Sequence, residues 1–211
     1  MKNTTNTVNP YDVPESSLDT SANISESFHI VSTRKAVVLY FATFGIYGFV
    51  WFYQHWNLIK LKEGLKIWPV PRAIFSIFFT HSLFQRFEDA SKNEGWSSAS
   101  WASLYVLAAI ISSVCDGLSG QEIGFPWTDL LSILLLIPMG TAIVVAQGYA
   151  NRASGDPTGS QNERFTWVNY IFLGLALLFW LFALLGYLLI YDGEGVNQAF
   201  EGMIEGMFSG T

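Results

Sequence analysis

Histidine, cysteine and serine are the side chains here that could carry metal binding, proton transfer or nucleophilic attack. Their spacing argues against each. A catalytic metal site needs about three convergent ligands. The chain has His29, His55 and His81 and no His-Glu-x-x-His pair. Cys115 is the single cysteine, which excludes an intrachain disulfide framework and a Cys-based metal site. On so apolar a segment it reads as a small packing residue. His55 sits beside Trp56 and reads as an interfacial polar residue. His81 follows an apolar run, where an ionisable group is costly and often functional. The helical pattern turns amphipathic at that point, so a headgroup-level side chain is the plainer reading. A serine nucleophile needs a nearby base, and no Gly-x-Ser-x-Gly elbow, Walker loop or dinucleotide fingerprint occurs. His81, Arg72, Arg86 and Asp156 could form an enzymatic site only by converging at one face, and nothing in their spacing demands it. The expectation is no enzyme, with no catalytic, cofactor or metal residues.

The basic residues are more informative. Arg34, Lys35, Lys60, Lys62, Lys66, Arg72, Arg86 and Lys92 would form a collar if they shared one membrane face. Near an anionic surface each base contributes about 1 kcal/mol. Arg34, Lys35, Lys60, Lys62, Arg72, His81 and Arg86 are therefore candidate contacts for lipid or a partner protein. The alternative is that these bases only fix orientation. The net charge is −6, which argues against nucleic acid, since phosphate binding needs clustered Lys and Arg. The acids crowd into both tails. The cluster Arg86/Glu88/Asp89/Lys92 reads as a solvated helix face.

The elements that must position these residues are membrane helices. Hydrophobic residues make up 51% of the 211-residue chain and charged residues only 13%; a soluble domain carries about 25% charged residues. No Asp, Glu, Lys or Arg falls between Arg164 and Asp192. About 20 apolar residues cross a hydrocarbon core of about 30 Å, so this stretch is long enough. Trp167, Tyr170, Tyr187 and Tyr191 lie near its ends, where amphipathic rings prefer the interface. Segments 96–115 and 130–147 are further spans, the second with Pro138 and Gly140 as an expected kink. Asp129 lies near the outer end of that span, and no span carries a central ionisable residue, which argues against a proton-coupled pump.

The N-terminal half is less regular. Residues 1–30 are polar and expected to be disordered, and no cleavable signal peptide is evident. Segment 36–53 contains Gly45 and Gly48. Gly64 can end the helix that follows, and Pro69 and Pro71 break it. Segment 73–92 starts apolar and becomes amphipathic. The loop 116–126 and the tail 192–211 have no base, whereas 151–164 has Arg152 and Arg164. The positive-inside bias therefore puts the C-terminus outside. Three readings fit 36–53: a re-entrant hairpin folding back at Gly45 or Gly48, a crossing paired with 73–85, or an ordinary span with the N-terminus outside. The fold class is all-α, a polytopic bundle of three spans plus a kinked or re-entrant segment and a half-embedded interfacial helix. Its domain covers 31–191 and ends in a short acidic, Gly-rich tail.

The chain resembles an uncharacterised family of bacterial multi-pass membrane proteins carrying a domain of unknown function. The likeness rests on Ser32-x-Arg34-Lys35 and on Thr43-Phe44-Gly45-Ile46-Tyr47 leading into Trp51-Phe52-Tyr53 and Trp56. It continues through Trp68-Pro69-x-x-Arg72-Ala73-Ile74-Phe75, Gly155-Asp156-Pro157 and Arg164-Phe165-Thr166-Trp167-x-Asn169-Tyr170. It implies a helical protein of a bacterial inner membrane and supplies no site residues. The expected role is an accessory or interaction protein that meets the lipid bilayer and a membrane-protein partner or a second copy of itself. Gly45, Gly48, Gly174 and Gly186 are candidate helix-packing positions. The alternative is a small channel or carrier for ions, neutral solutes or lipid.

Overall fold

A computed structural model describes residues 28–91, 95, 97–121, 123–124 and 127–191. The expected disorder of 1–27, Lys92 of the collar and the acidic tail 192–211 lie outside these residues. All regular structure among the described residues is helical.

Helix α1 (Thr33–Ala42) starts at Ser32, whose hydroxyl accepts the Lys35 N–H at 3.3 Å. It stops because Phe44 and Gly45 take positive φ, 50° and 80°. The Gly45 N–H then reaches back to the Tyr40 carbonyl at 2.8 Å, a closure typical of helix ends with left-handed residues. Helix α2 (Ile46–Glu63) runs back alongside and ends at Gly64, φ 63°. The return is visible at both ends of the pair. Gly48 packs on the Tyr40 ring next to the turn, and the His29 and His55 rings lie 5.9 Å apart at the open end. Segment 36–53 is thus neither one span nor a kinked rod; it is most of a hairpin that folds back at Phe44–Gly45.

A second hairpin follows. Pro69 and Pro71 do not merely break a helix; they begin α3 (Pro69–Ile74), where a missing N–H costs nothing. The chain breaks again at Phe75 and continues as α4 (Ser76–Ser91). Ile74 to Ile77 share a cavity with Phe44 and Gly45. Glu63 and Arg86, on either side of that excursion, pair at 2.5 Å. The α3–α4 turn therefore lies at the depth of the α1–α2 turn, and its ends return to the starting side.

Helices α5 (Ser98–Ser119), α6 (Trp127–Ala153) and α7 (Trp167–Tyr191) are long and apolar enough to cross a membrane. Antiparallel α5 and α6 are stitched by Ser112–Ser132 at 3.2 Å and, nearer the far end, by Ser132–Asp116 and Ser119–Asp129 hydrogen bonds. Helix α6 runs unbroken through Pro138. Gly140 serves close packing: a Cβ there would meet the Tyr40 and Phe41 rings at 2.8 Å. From Gly140 beside the α1–α2 turn to Asn151 at the open end is about 17 Å of helix, roughly half a bilayer core. The hairpins fill only that half. Their core is aromatic, with Trp51, Phe52, Trp56, Phe84 and Phe87 all at 0% exposure.

Helix α7 stands apart. It meets the bundle chiefly through α1 and the first hairpin turn. Trp180 stacks on Phe44 with ring centroids 3.4 Å apart, and its Nε1–H donates to the Ala42 carbonyl at 3.0 Å. That carbonyl is one of the four a helix end leaves unpaired.

All lysines and arginines among the described residues lie on the open side of the two hairpin turns, and Asp116 and Asp129 lie toward the opposite end. A topology experiment follows. With Cys115 replaced by Ser, single cysteines at Thr33 and Gly64 should react with an impermeant maleimide from the same side of sealed vesicles, and one at Ser119 from the other. Thr33 and Gly64 reacting from opposite sides would refute the first hairpin.

Candidate functional site

The open end is organised by one polar stripe. Gln147 and Asn151 on α6 and Ser154 just past its end recur at helical spacing and are buried. They hold residues 28–32, which run without regular structure into α1. The Asn151 amide donates to the Val31 carbonyl at 2.9 Å, and its oxygen accepts the Val31 N–H at 3.3 Å. Ser154 Oγ accepts the Phe28 N–H at 3.0 Å. Gln147 donates to the His29 carbonyl at 2.9 Å and to Asn151 Oδ1 at 2.7 Å. Its own oxygen accepts the Trp51 indole N–H at 2.5 Å and faces His55 Nε2 at 3.3 Å. Asn162, in the loop after α6, donates to the Ile30 carbonyl at 2.9 Å. Buried backbone groups must find such partners, and here side chains take the place of a neighbouring strand. Gly159 completes the clamp: a Cβ there would lie 2.5 Å from the Val31 carbonyl oxygen, and its φ is +69°.

Phe28 and Ile30 are therefore buried, and the disorder expected for residues 1–30 does not extend to 28–30. His55 is also not interfacial. It is fully buried among Trp51, Phe87 and Gln147.

Next to this clamp, a cavity of about 280 Å³ opens between the first hairpin and the start of α7. Its polar end is lined by His29, Lys35, Gln54, Asn162 and Asn169. Leu39, Ile46, Val50, Val168 and Phe172 continue the wall toward the hairpin turn. Lys35 is only 4% exposed. Its ammonium donates to Asn162 Oδ1 at 2.7 Å and to the Arg164 carbonyl at 2.8 Å. Burial lowers its pKa from the ordinary value. Burial, and after it the Lys35 charge, pull His29 down to about 4, so His29 is neutral at pH 7 and Lys35 is the cation of this cavity. Gln54 Oε1 is buried without a partner.

The remaining candidates separate. Arg72 lies over the Trp56 ring at 4.4 Å and the Phe79 ring at 4.8 Å, contacts of cation–π type. Arg86 approaches the same Trp56 ring at 6.0 Å while paired with Glu63. His81 is exposed and bonds Ser103 at 3.1 Å. Asp156 folds onto its own loop, where the Gln161 N–H above all, with the Ser160 and Thr158 groups, holds its carboxyl below the usual range. Arg72 and Arg86 thus meet over one indole, while His81 and Asp156 take other partners. Arg34, Lys60, Lys62 and Lys66 remain at the open end, Lys60 partly buried and the others exposed. No group of three metal-ligating side chains converges among the described residues. The sequence reading missed Gln147, Asn151, Ser154, Asn162 and Gly159. The signal for the first three is a polar i, i+4, i+7 stripe at the end of an apolar span; Asn162 and Gly159 lie in the loop beyond it.

A second cavity, about 510 Å³, opens at the two hairpin turns and extends along α5 and α6. Tyr40, Ser76, Tyr105, Ser112, Asp116 and Ser132 are among its polar groups, and the Tyr40 hydroxyl is buried without a partner.

Two measurements test the clamp. Asn151→Leu leaves the Val31 N–H and C=O unpaired, at about 1–3 kcal/mol for each buried group; the protein in detergent should melt several degrees lower. An unchanged melting temperature would mean the clamp adds nothing. For pH, a folded-state pKa below the unfolded one means the unfolded chain binds the extra proton. The His29 contribution is then complete above about 6.5 and is lost as pH falls toward about 4. Wild type should lose thermal stability across that window, and His29→Asn should lose less of it.

Compared with protein-family models, curated proteins and solved structures, the chain finds no match in any of the three.

Proposed function

We propose that the chain is a non-enzymatic accessory or interaction protein of a bacterial inner membrane. Its basic end faces the cytoplasm and the C-terminal end of α7 faces outward. It works by contact, with anionic lipid and a membrane-protein partner or a second copy, and does not pass solute. The observation that carries this reading is the filling of the hairpin half. Trp51, Phe52, Trp56, Phe84, Phe87 and Ile143 are all at 0% exposure, and the polar ends of the two largely intramembrane cavities are lined by different residues, Lys35, Gln54 and Asn169 in one and Ser112, Asp116 and Ser132 in the other. A conducting path would need a continuous polar lining, and packed aromatic rings supply none.

Three further features favour contact. The bases Arg34, Lys60, Lys62 and Lys66 gather at one end, where the field of an anionic leaflet would draw them. Helix α7 leaves nearly all its perimeter uncovered, with 6% of its apolar window buried. Gly174 and Gly186 on it face open space, whereas Gly45 and Gly48 are taken by Tyr40. A small carrier is the second reading, and the serine-lined cavity with Asp116 favours it.

The two separate experimentally. Purified protein in liposomes should leave them impermeable to a self-quenching anionic dye, to K⁺ and to glycerol. Crosslinking in native membranes should give a stoichiometric adduct with one partner or a second copy. Solute flux above protein-free liposomes would decide for the carrier, and a chain that crosslinks to nothing would remove the interaction reading.

A further inference from the structure

We propose that the cavity between the first hairpin and α7 binds one acyl lipid through its anionic headgroup, with Lys35 as the headgroup ligand. The first argument is charge. A buried ammonium is costly unless paired. Lys35 is 4% exposed, yet both its hydrogen bonds go to neutral oxygens, from Asn162 and the Arg164 backbone, and the Phe165 ring lies 5.9 Å from its ammonium. No carboxylate of the described residues pairs with it. An ammonium has three protons to donate, and two are accounted for. Among the described residues the third has no hydrogen-bond acceptor and no anion meets the charge.

The second argument is the gradient along the wall. The cavity is polar where Lys35, Gln54 and Asn169 line it and apolar along Leu39, Val50 and Phe172. That order matches an amphiphile entering a membrane, with its anionic group at the basic end and a hydrocarbon chain pointing to mid-bilayer. Ligand sites commonly measure about 300–1,000 Å³. At about 280 Å³ this one takes part of an acyl chain, the rest of the lipid staying in the bilayer beside α7. Phosphate and carboxylate headgroups share the chemistry that Lys35 recognises.

The proposal deepens the contact reading by naming one lipid site, and it is tested in detergent, where solute flux plays no part. Full-length protein is exchanged into mild detergent with phosphatidylglycerol or phosphatidylcholine, and retained lipid is counted by native mass spectrometry. One phosphatidylglycerol should be retained per chain, and phosphatidylcholine much less. Lys35→Gln should cut retention about tenfold, the scale of one charge-assisted contact. Val50→Trp, which fills the apolar wall and leaves the clamp and Lys35 untouched, should do the same. Arg34→Gln removes an exposed base one residue away and should change nothing. Equal retention of both lipids, full retention by Lys35→Gln or by Val50→Trp, or an equal loss in Arg34→Gln would overturn the site. Competition by oleate would support the site and identify a carboxylate as an acceptable head. Displacement by the same concentration of inorganic phosphate would overturn it, because the acyl wall would then contribute nothing.

Discussion

The grip of Gln147 and Asn151 on residues 28–32 is the constraint from which the rest of the bundle follows. Two amide side chains one turn apart satisfy Val31 on both backbone groups, His29 on its carbonyl and the Trp51 indole at once. In hydrocarbon an unpaired backbone group costs several kcal/mol, so a non-helical segment beside a membrane helix persists only where it is paired in this way. Once 28–32 is fixed against α6, α1 must start at the open end and run inward. Its ten residues rise about 15 Å, too little to cross. The turn at Phe44–Gly45 then returns the chain, and Trp51 and His55 come back to the same Gln147 oxygen. One amide thus ties together three passages of the chain.

Apolar burial drives association of membrane helices weakly, because lipid tails are as apolar as leucine. Close packing and hydrogen bonds must do more. The hairpin half supplies both, through interlocked aromatic rings and the amide stripe. The far half has less to offer: serine and aspartate contacts join α5 to α6, while α7 is held at Phe44 by Trp180. Ala42 needed a donor for its terminal carbonyl, and the indole that provides it fixes α7 beside the first turn, where Phe179 also meets Phe44. The depth of the first hairpin and the position of α7 are consequences of one helix end.

The three long helices were legible in the sequence because length and charge exclusion are strong signals. Their boundaries moved by a few residues, since α5 continues through Asp116 once the Ser132 hydroxyl donates to its carboxylate. The hairpins were legible only as alternatives. Gly45 announced a possible turn, but the decision lies in the His29–His55 and Gly48–Tyr40 contacts, which no local pattern contains. Pro69 and Pro71 read as breakers, and proline starts a helix as readily as it ends one. The site was the least legible part. Lys35 reads in sequence as a twin of Arg34, two bases before an apolar run. Helix periodicity puts adjacent residues about 100° apart, so one of them can face solvent while the other faces the bundle.

That divergence separates a collar from a site. Exposed bases act on a membrane as a group, each contributing a similar amount that salt screens; any one can be replaced by another nearby. Lys35 differs in every physical respect. It is removed from water, held by two fixed oxygens, and set at the mouth of an apolar wall that its neighbour does not touch. Desolvation has already been met by folding, and the neutral partners leave the charge uncompensated. An anion arriving there replaces little water and gains a fixed donor in a medium of low dielectric, where attraction is strongest. The same clamp that aims α1 inward places its first buried cation where a headgroup and a chain can both be met, so the hairpin's geometry and its chemistry have a single origin.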